Sequence, residues 1–203
     1  MTQFALRYSP TSPYVRKVLV AAIEMGLDDR IQRIPTLPWD PKTDLPRDNP
    51  LGKVPALQTP EGWLYDSLVI CEYLDSLHDG PKLFPAAGGP RFTALRRQAL
   101  GDGILDAALQ VVIERLRRPE QYRWSEWIDR QKAAIARALD QLELEADELA
   151  EQFTIGEIAI IAALGYLDFR LAADQWRVGR PKLAAWYAVM EKRPSVAVTA
   201  PKE

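Results

Sequence analysis

The chain has 203 residues, 47% of them hydrophobic and 27% charged, with a formal net charge of −2. That size suits one large or two small globular domains, burying roughly 70% of the surface the unfolded chain exposes. The near-neutral charge offers no electrostatic footprint for nucleic acid or an anionic membrane, and the single cysteine, Cys71, excludes an intramolecular disulfide and suits a reducing cytosol.

Met1 to Tyr8 is too short and too mixed for a secretory signal, so a cytoplasmic location is expected. Gln3 to Tyr8 reads as a strand. Pro13 to Met25 reads as a helix with Val15, Val18, Leu19, Ala22 and Ile23 inward, closed by Gly26. Arg30 to Ile34 reads as a second strand. Pro35, Pro38, Pro41, Pro46 and Pro50 then argue against regular structure. Pro55 to Thr59 and Trp63 to Tyr65 read as a hairpin across Pro60-Glu61-Gly62. Asp66-Ser67 opens a helix carrying Leu68, Ile70, Cys71, Leu74 and Leu77. The pattern β-α-β, loop, β-β-α suits a four-stranded mixed sheet with helices packed on it.

Residues 80–90 form a linker by composition, and no convincing strand follows it. Helices are expected over Arg91 to Arg117, Trp124 to Ala150, Ile155 to Ala172 and Pro181 to Lys192. The apolar run from Ile155 contains Glu157, Asp168 and Arg170, charges that are costly inside a bilayer. It therefore reads as the central helix of a helical domain, and no membrane contact is expected.

Most chemistries lack their residues. One histidine, His78, and one cysteine cannot build a His/Cys zinc site, so no metal is expected. There is no GxSxG, GxGxxG, P-loop or CxxC motif. Cys71 falls on an apolar helix face and reads as an inert core thiol.

Three segments remain. Ser12-Pro13 is an N-cap followed by proline at N1; read alone it is first of all a helix cap, but a hydroxyl and free N–H groups also converge there on a place for an anion. Lys53-Val54-Pro55 opens a strand with a proline that can be cis, which would turn the Val54 backbone toward an extended peptide ligand. Asp66-Ser67 is a second cap, and also a hydroxyl, N–H groups and a carboxylate suited to an amino-acid head group.

In order and spacing, Ser-Pro-Tyr-Val-Arg-Lys-Val at 12–18, Asn-Pro-Leu-Gly-Lys-Val-Pro at 49–55 and Asp-Ser-Leu-Val-Ile-Cys-Glu-Tyr-Leu at 66–74 resemble the cytosolic glutathione transferases. The likeness is to bacterial members with a serine active site, and to the tau class in Ser-Pro-Tyr. Thr154-Ile155-Gly156-Glu157 is similar to the family's capping box, with Gly156 and Glu157 where Ala and Asp are commoner. The resemblance spans the chain. It implies an α+β thioredoxin-like N-terminal domain over 1–79, a linker over 80–90 and an all-α C-terminal domain over 91–203. It implies a glutathione transferase with glutathione as co-substrate, a hydrophobic electrophile and a homodimer. It also implies that Ser12 donates a hydrogen bond to the glutathione sulfur and that the Val54 backbone pairs with the cysteinyl unit. Lys53 would lie near the glycine carboxylate, and Asp66 and Ser67 would hold the γ-glutamyl end. Ser9 and Thr11 carry hydroxyls nearby, although counting back from Glu24-Met25-Gly26 favours Ser12. Asp102 is a candidate to reach a partner subunit's site.

Gly103, Ile104, Ala107, Gln110, Tyr166 and Trp176 are candidate walls for the electrophile, each explained as readily by packing. A binding protein of the same fold without catalysis, and a glutathione-dependent isomerase or dehalogenase, are the alternatives. The complete set Ser12, Lys53, Val54, Asp66 and Ser67 argues against a pure scaffold.

Overall fold

The structure, a computed structural model, describes residues 4–202. By contacts the chain falls into two compact units, one running to Pro85 and rejoined by the segment from Pro194, the other spanning Ala86–Arg193.

The first unit is built on a four-stranded sheet of order β2-β1-β3-β4, with β1 Phe4–Tyr8, β2 Ile31–Pro35, β3 Ala56–Thr59 and β4 Gly62–Leu64. β1 runs parallel to β2 and antiparallel to β3, which pairs antiparallel with β4. The parallel pair needs a crossover, and α1 (Pro13–Glu24) supplies it. Ser12 caps α1, Pro13 takes its first turn, and Gly26, at φ 68°, lets the chain leave in the left-handed region. Gln3, assigned to the first strand by sequence, lies outside the described residues. The hairpin β3–β4 turns at Gly62, whose φ of 124° disfavours a side chain. α2 (Ser67–Asp75) packs on α1 and β3, burying Ile70, Cys71 and Leu74 against a core that includes Leu6, Val15 and Val18. The proline-rich loop holds one short 3-10 turn, Leu45–Arg47.

The second unit is helical: α3 (Gly88–Leu116), α4 (Ser125–Leu144), α5 (Ala146–Leu149), α6 (Ile155–Arg170) and α7 (Pro181–Met190). No strand follows β4 among the described residues. α6 is buried from Ile155 through Leu167 and packs along α3. The two helices approach closely because Gly101 and Gly156 lack side chains. A Cβ at Gly101 would lie 2.7 Å from the Ala159 carbonyl carbon, and one at Gly156 2.7 Å from Arg97 Cβ and 2.8 Å from the Ala94 oxygen. That explains glycine at 156, where alanine is expected.

The helix expected from Arg91 starts at Gly88, inside the stretch read as a linker over 80–90, and the helical unit ends at Arg193 where the sequence reading ran it to 203. Two more helices differ from the sequence reading. The one expected over Trp124 to Ala150 breaks at Glu145, whose φ of −92° and ψ of 2° separate α4 from α5. Its carboxylate there accepts from Arg96 and Arg97, so tertiary pairing ends the helix. A short last helix, α8 (Pro194–Val198), was not expected; it packs on α1 within the first unit. No described helix is long and apolar enough to cross a membrane.

Candidate functional site

Sheet register gathers the three segments. Arg7 lies opposite Ala56 in the β1–β3 pair, so two further residues along, past the end of the ladder, Ser9 comes level with Val54. Leu57 lies opposite Leu64 in the β3–β4 pair, and the same extension brings Asp66 level with Pro55. The turn before α1, the start of β3 and the start of α2 thus share one end of the sheet.

Ser12 sits at φ −83° and ψ 119°, and its Oγ accepts from the Val15 N–H at 3.3 Å. Its own hydroxyl proton has no acceptor among the described residues. Ser9 and Thr11 differ: their hydroxyl oxygens lie 3.4 Å apart, bonded to one another, and Ser9 is buried. The Ser12 N–H donates to Ser9 O at 3.1 Å and fixes the turn.

The Val54–Pro55 peptide is cis, and no described group bonds the Val54 N–H or C=O. Val54 is buried and Lys53 exposed. Sequence reasoning assigned no role to Asn49, yet it holds this loop. Its Nδ2 donates to Lys53 O at 2.8 Å and its Oδ1 accepts from Leu51 N at 3.0 Å, with the side chain buried. Farther along the same loop, Arg7 donates to Asp48 at 2.6 Å and pairs with Asp44 at 3.0 Å. The Arg7 hydrogen bond keeps the Asp44 carboxyl below its ordinary value against a smaller opposing effect of burial.

Asp66 caps α2, with Oδ1 accepting from Leu68 N at 3.0 Å. It is exposed, whereas Ser67 is buried at the first helical position with its hydroxyl unbonded to any described group. The remaining candidates lie in the helical unit. Ile104, Ala107, Tyr166 and Trp176 are buried core, Gly103 and Gln110 are exposed on α3, and Asp102 is half-buried there. Cys71 is fully buried, and the described residues hold no cluster of three or more metal-binding side chains.

Family models for the glutathione S-transferase N-terminal domain and C-terminal domain match residues 11–77 and 125–188. The GST-like protein YibF of Escherichia coli K12 is 36% identical over 198 residues, covering 95% of this chain and 96% of that one. The chain belongs to the glutathione S-transferase family. Glutathione S-transferase L1 of Arabidopsis thaliana is 28% identical over 197 residues, covering 92% of this chain and 77% of that one. A crystal structure of a glutathione transferase family member from Pseudomonas fluorescens Pf-5, with bound glutathione, superposes with a TM-score of 0.94. It is 44% identical, and the match covers 99% of this chain and all of that one. The fold is therefore that of the glutathione S-transferases: a thioredoxin-like mixed sheet with helices, followed by an all-helical part.

Proposed function

We propose that the chain is a glutathione transferase in which Ser12 holds the glutathione sulfur as a thiolate for attack on a hydrophobic electrophile. The observation that carries this reading is the uncommitted Ser12 hydroxyl. It accepts from α1 and keeps its proton to donate, while Ser9 and Thr11 are tied to each other by one hydrogen bond in which either can be the donor. Val54, with an unpaired backbone N–H and C=O, suits the cysteinyl unit as an added strand would. Ser67, backed by the first N–H groups of α2, suits the γ-glutamyl carboxylate, and Asp66 its ammonium. Lys53 suits the glycine carboxylate. The proposed glutathione-binding residues all fall in the first unit, ahead of the helical unit over Ala86–Arg193. The protein acts as a cytoplasmic homodimer.

The energies are adequate. A thiol of pKa ~8.5 is about 3% ionised at pH 7, and lowering it by about two units takes ~2.7 kcal/mol. A hydrogen bond to a charged acceptor supplies ~1.5–3 kcal/mol, and the N-terminus of α1 adds ~0.5–2. The thiolate attacks the electrophilic carbon, the leaving group departs with the bonding electrons, and Ser12 remains unmodified.

Ser12→Ala should lower turnover with an aromatic electrophile at least about tenfold, the loss of roughly 1.4 kcal/mol, and move the alkaline rise of kcat/KM to higher pH. Removing the cap also costs about 1 kcal/mol of stability, so the rate is read well below the melting transition. An unchanged pH profile would take the role away from Ser12. Retention on immobilised glutathione tests binding separately, and light scattering tests the dimer.

A further inference from the structure

We propose that the first unit carries a second anion site, a pocket for a small oxyanion (phosphate or carboxylate) anchored by Arg16. Lys53, Val54, Asp66 and Ser67 are not among its walls; Ser12 is, so the pocket adjoins the proposed sulfur position, while its cations lie outside the proposed glutathione set.

The pocket has a volume of about 190 Å³, far above the roughly 10–15 Å³ that one water needs. Its walls come from the Tyr8–Ser12 turn, the first two turns of α1 with Arg16, Arg33 of β2, and the end of α8 with the chain beyond it, from Val198 to Lys202. Three of these residues are cationic, Arg16, Arg33 and Lys202, and none carries a carboxylate. Arg33 already pairs with Asp28 at 2.7 Å, and Lys202 is exposed.

Arg16 is the unusual member. The residue is 6% exposed, and among the described residues its side chain makes one hydrogen bond, from Nη2 to Val196 O at 3.2 Å. Nε and Nη1 are buried with no partner among the described residues. A guanidinium cannot neutralise itself by losing its proton, so it must be compensated where it stands. A water would accept from the idle N–H groups and leave the charge. An oxyanion satisfies both, and does so with charge-assisted bonds. The hydroxyl-bearing residues Tyr8, Ser9, Ser12 and Thr199 line the same space. Thr199 Oγ1 donates to Ser195 O at 2.7 Å, which holds the covering segment in place.

Calorimetric titration of the full chain decides the matter. Sodium phosphate and sodium malonate are titrated separately at matched ionic strength in chloride, with glutathione present throughout. Saturable binding is expected, weakened at least about tenfold in Arg16→Gln and about threefold in Lys202→Ala. Binding of phosphate alone assigns the site to phosphates, and binding of malonate alone to carboxylates. Absence of both, or binding lost in Lys53→Ala and kept in Arg16→Gln, overturns the proposal. Should Arg16→Gln lack a cooperative thermal transition, wild-type crystals grown with selenate decide instead. An anomalous peak within about 3.2 Å of Arg16 Nε or Nη1 supports the site, and no peak there overturns it.

Discussion

Three hydroxyls crowd the turn after β1, and only their partners tell them apart. Sequence counting favoured Ser12 over Ser9 and Thr11, but composition gives all three the same chemistry. The Ser9–Thr11 bond is a tertiary detail of one turn, which no spacing rule encodes. Asn49 illustrates the same limit. Its place in Asn49-Pro50-Leu51-Gly52 was visible, while its two bonds across the loop depend on the fold. Asn49→Ala removes both, leaving the Lys53 carbonyl and Leu51 N–H without partners and the Lys53–Val54 segment loose. The expected result is a stability loss of about 1–3 kcal/mol and glutathione affinity weakened several-fold, with the alkaline pH profile of kcat/KM unmoved. Calorimetry with glutathione and a pH–rate series check it. A shifted profile would mean that Asn49 acts on the thiol and not on the loop.

At the scale of elements, β1, α1, β3, β4 and α2 were legible because local signals agreed: Ser12-Pro13, the Gly62 turn, the Asp66-Ser67 cap and apolar periodicity. The break at Glu145 and the existence of α8 were not, since one is imposed by arginines from α3 and the other by packing against α1. The start of α6 combines both kinds of information. Thr154 N donates to Glu157 at 2.7 Å and the Thr154 hydroxyl at 2.6 Å, the capping box expected from Thr-x-x-Glu. Beneath it Arg97, 3% exposed, donates to Glu157, Glu145 and Glu148 at 3.1, 3.3 and 3.1 Å. Arg97→Met leaves the fully buried Glu157 without its cation and should cost about 3–5 kcal/mol. Gly101→Ala presses a methyl group onto the Ala159 backbone, which cannot turn aside, and should cost about 1–3 kcal/mol. Urea denaturation measures both. A Gly101→Ala midpoint equal to wild type would show that α3 and α6 can separate without penalty.

For the whole molecule, the division into two units means that one probe need not report all of the unfolding. Of the six tryptophans, Trp124, Trp127, Trp176 and Trp186 lie in the helical unit, with the last two buried, so fluorescence weights that unit. The same unit holds Glu145, whose carboxyl is drawn from its usual 4.5 down to about 2. The Arg96 hydrogen bonds, at 2.8 and 2.7 Å, are the main cause; burial opposes them, and Gln141 and Arg97 add to them. A carboxyl with a lowered folded pKa binds fewer protons folded than unfolded. Its contribution is therefore whole above about pH 4.5 and is lost as pH falls toward 2. The melting temperature read by fluorescence should drop steeply across that window. Glu145→Gln should melt lower than wild type at pH 6, where the ion pairs are missing, and fall less between pH 4.5 and 2. If the two proteins keep the same acid slope, the proton uptake belongs to another carboxylate.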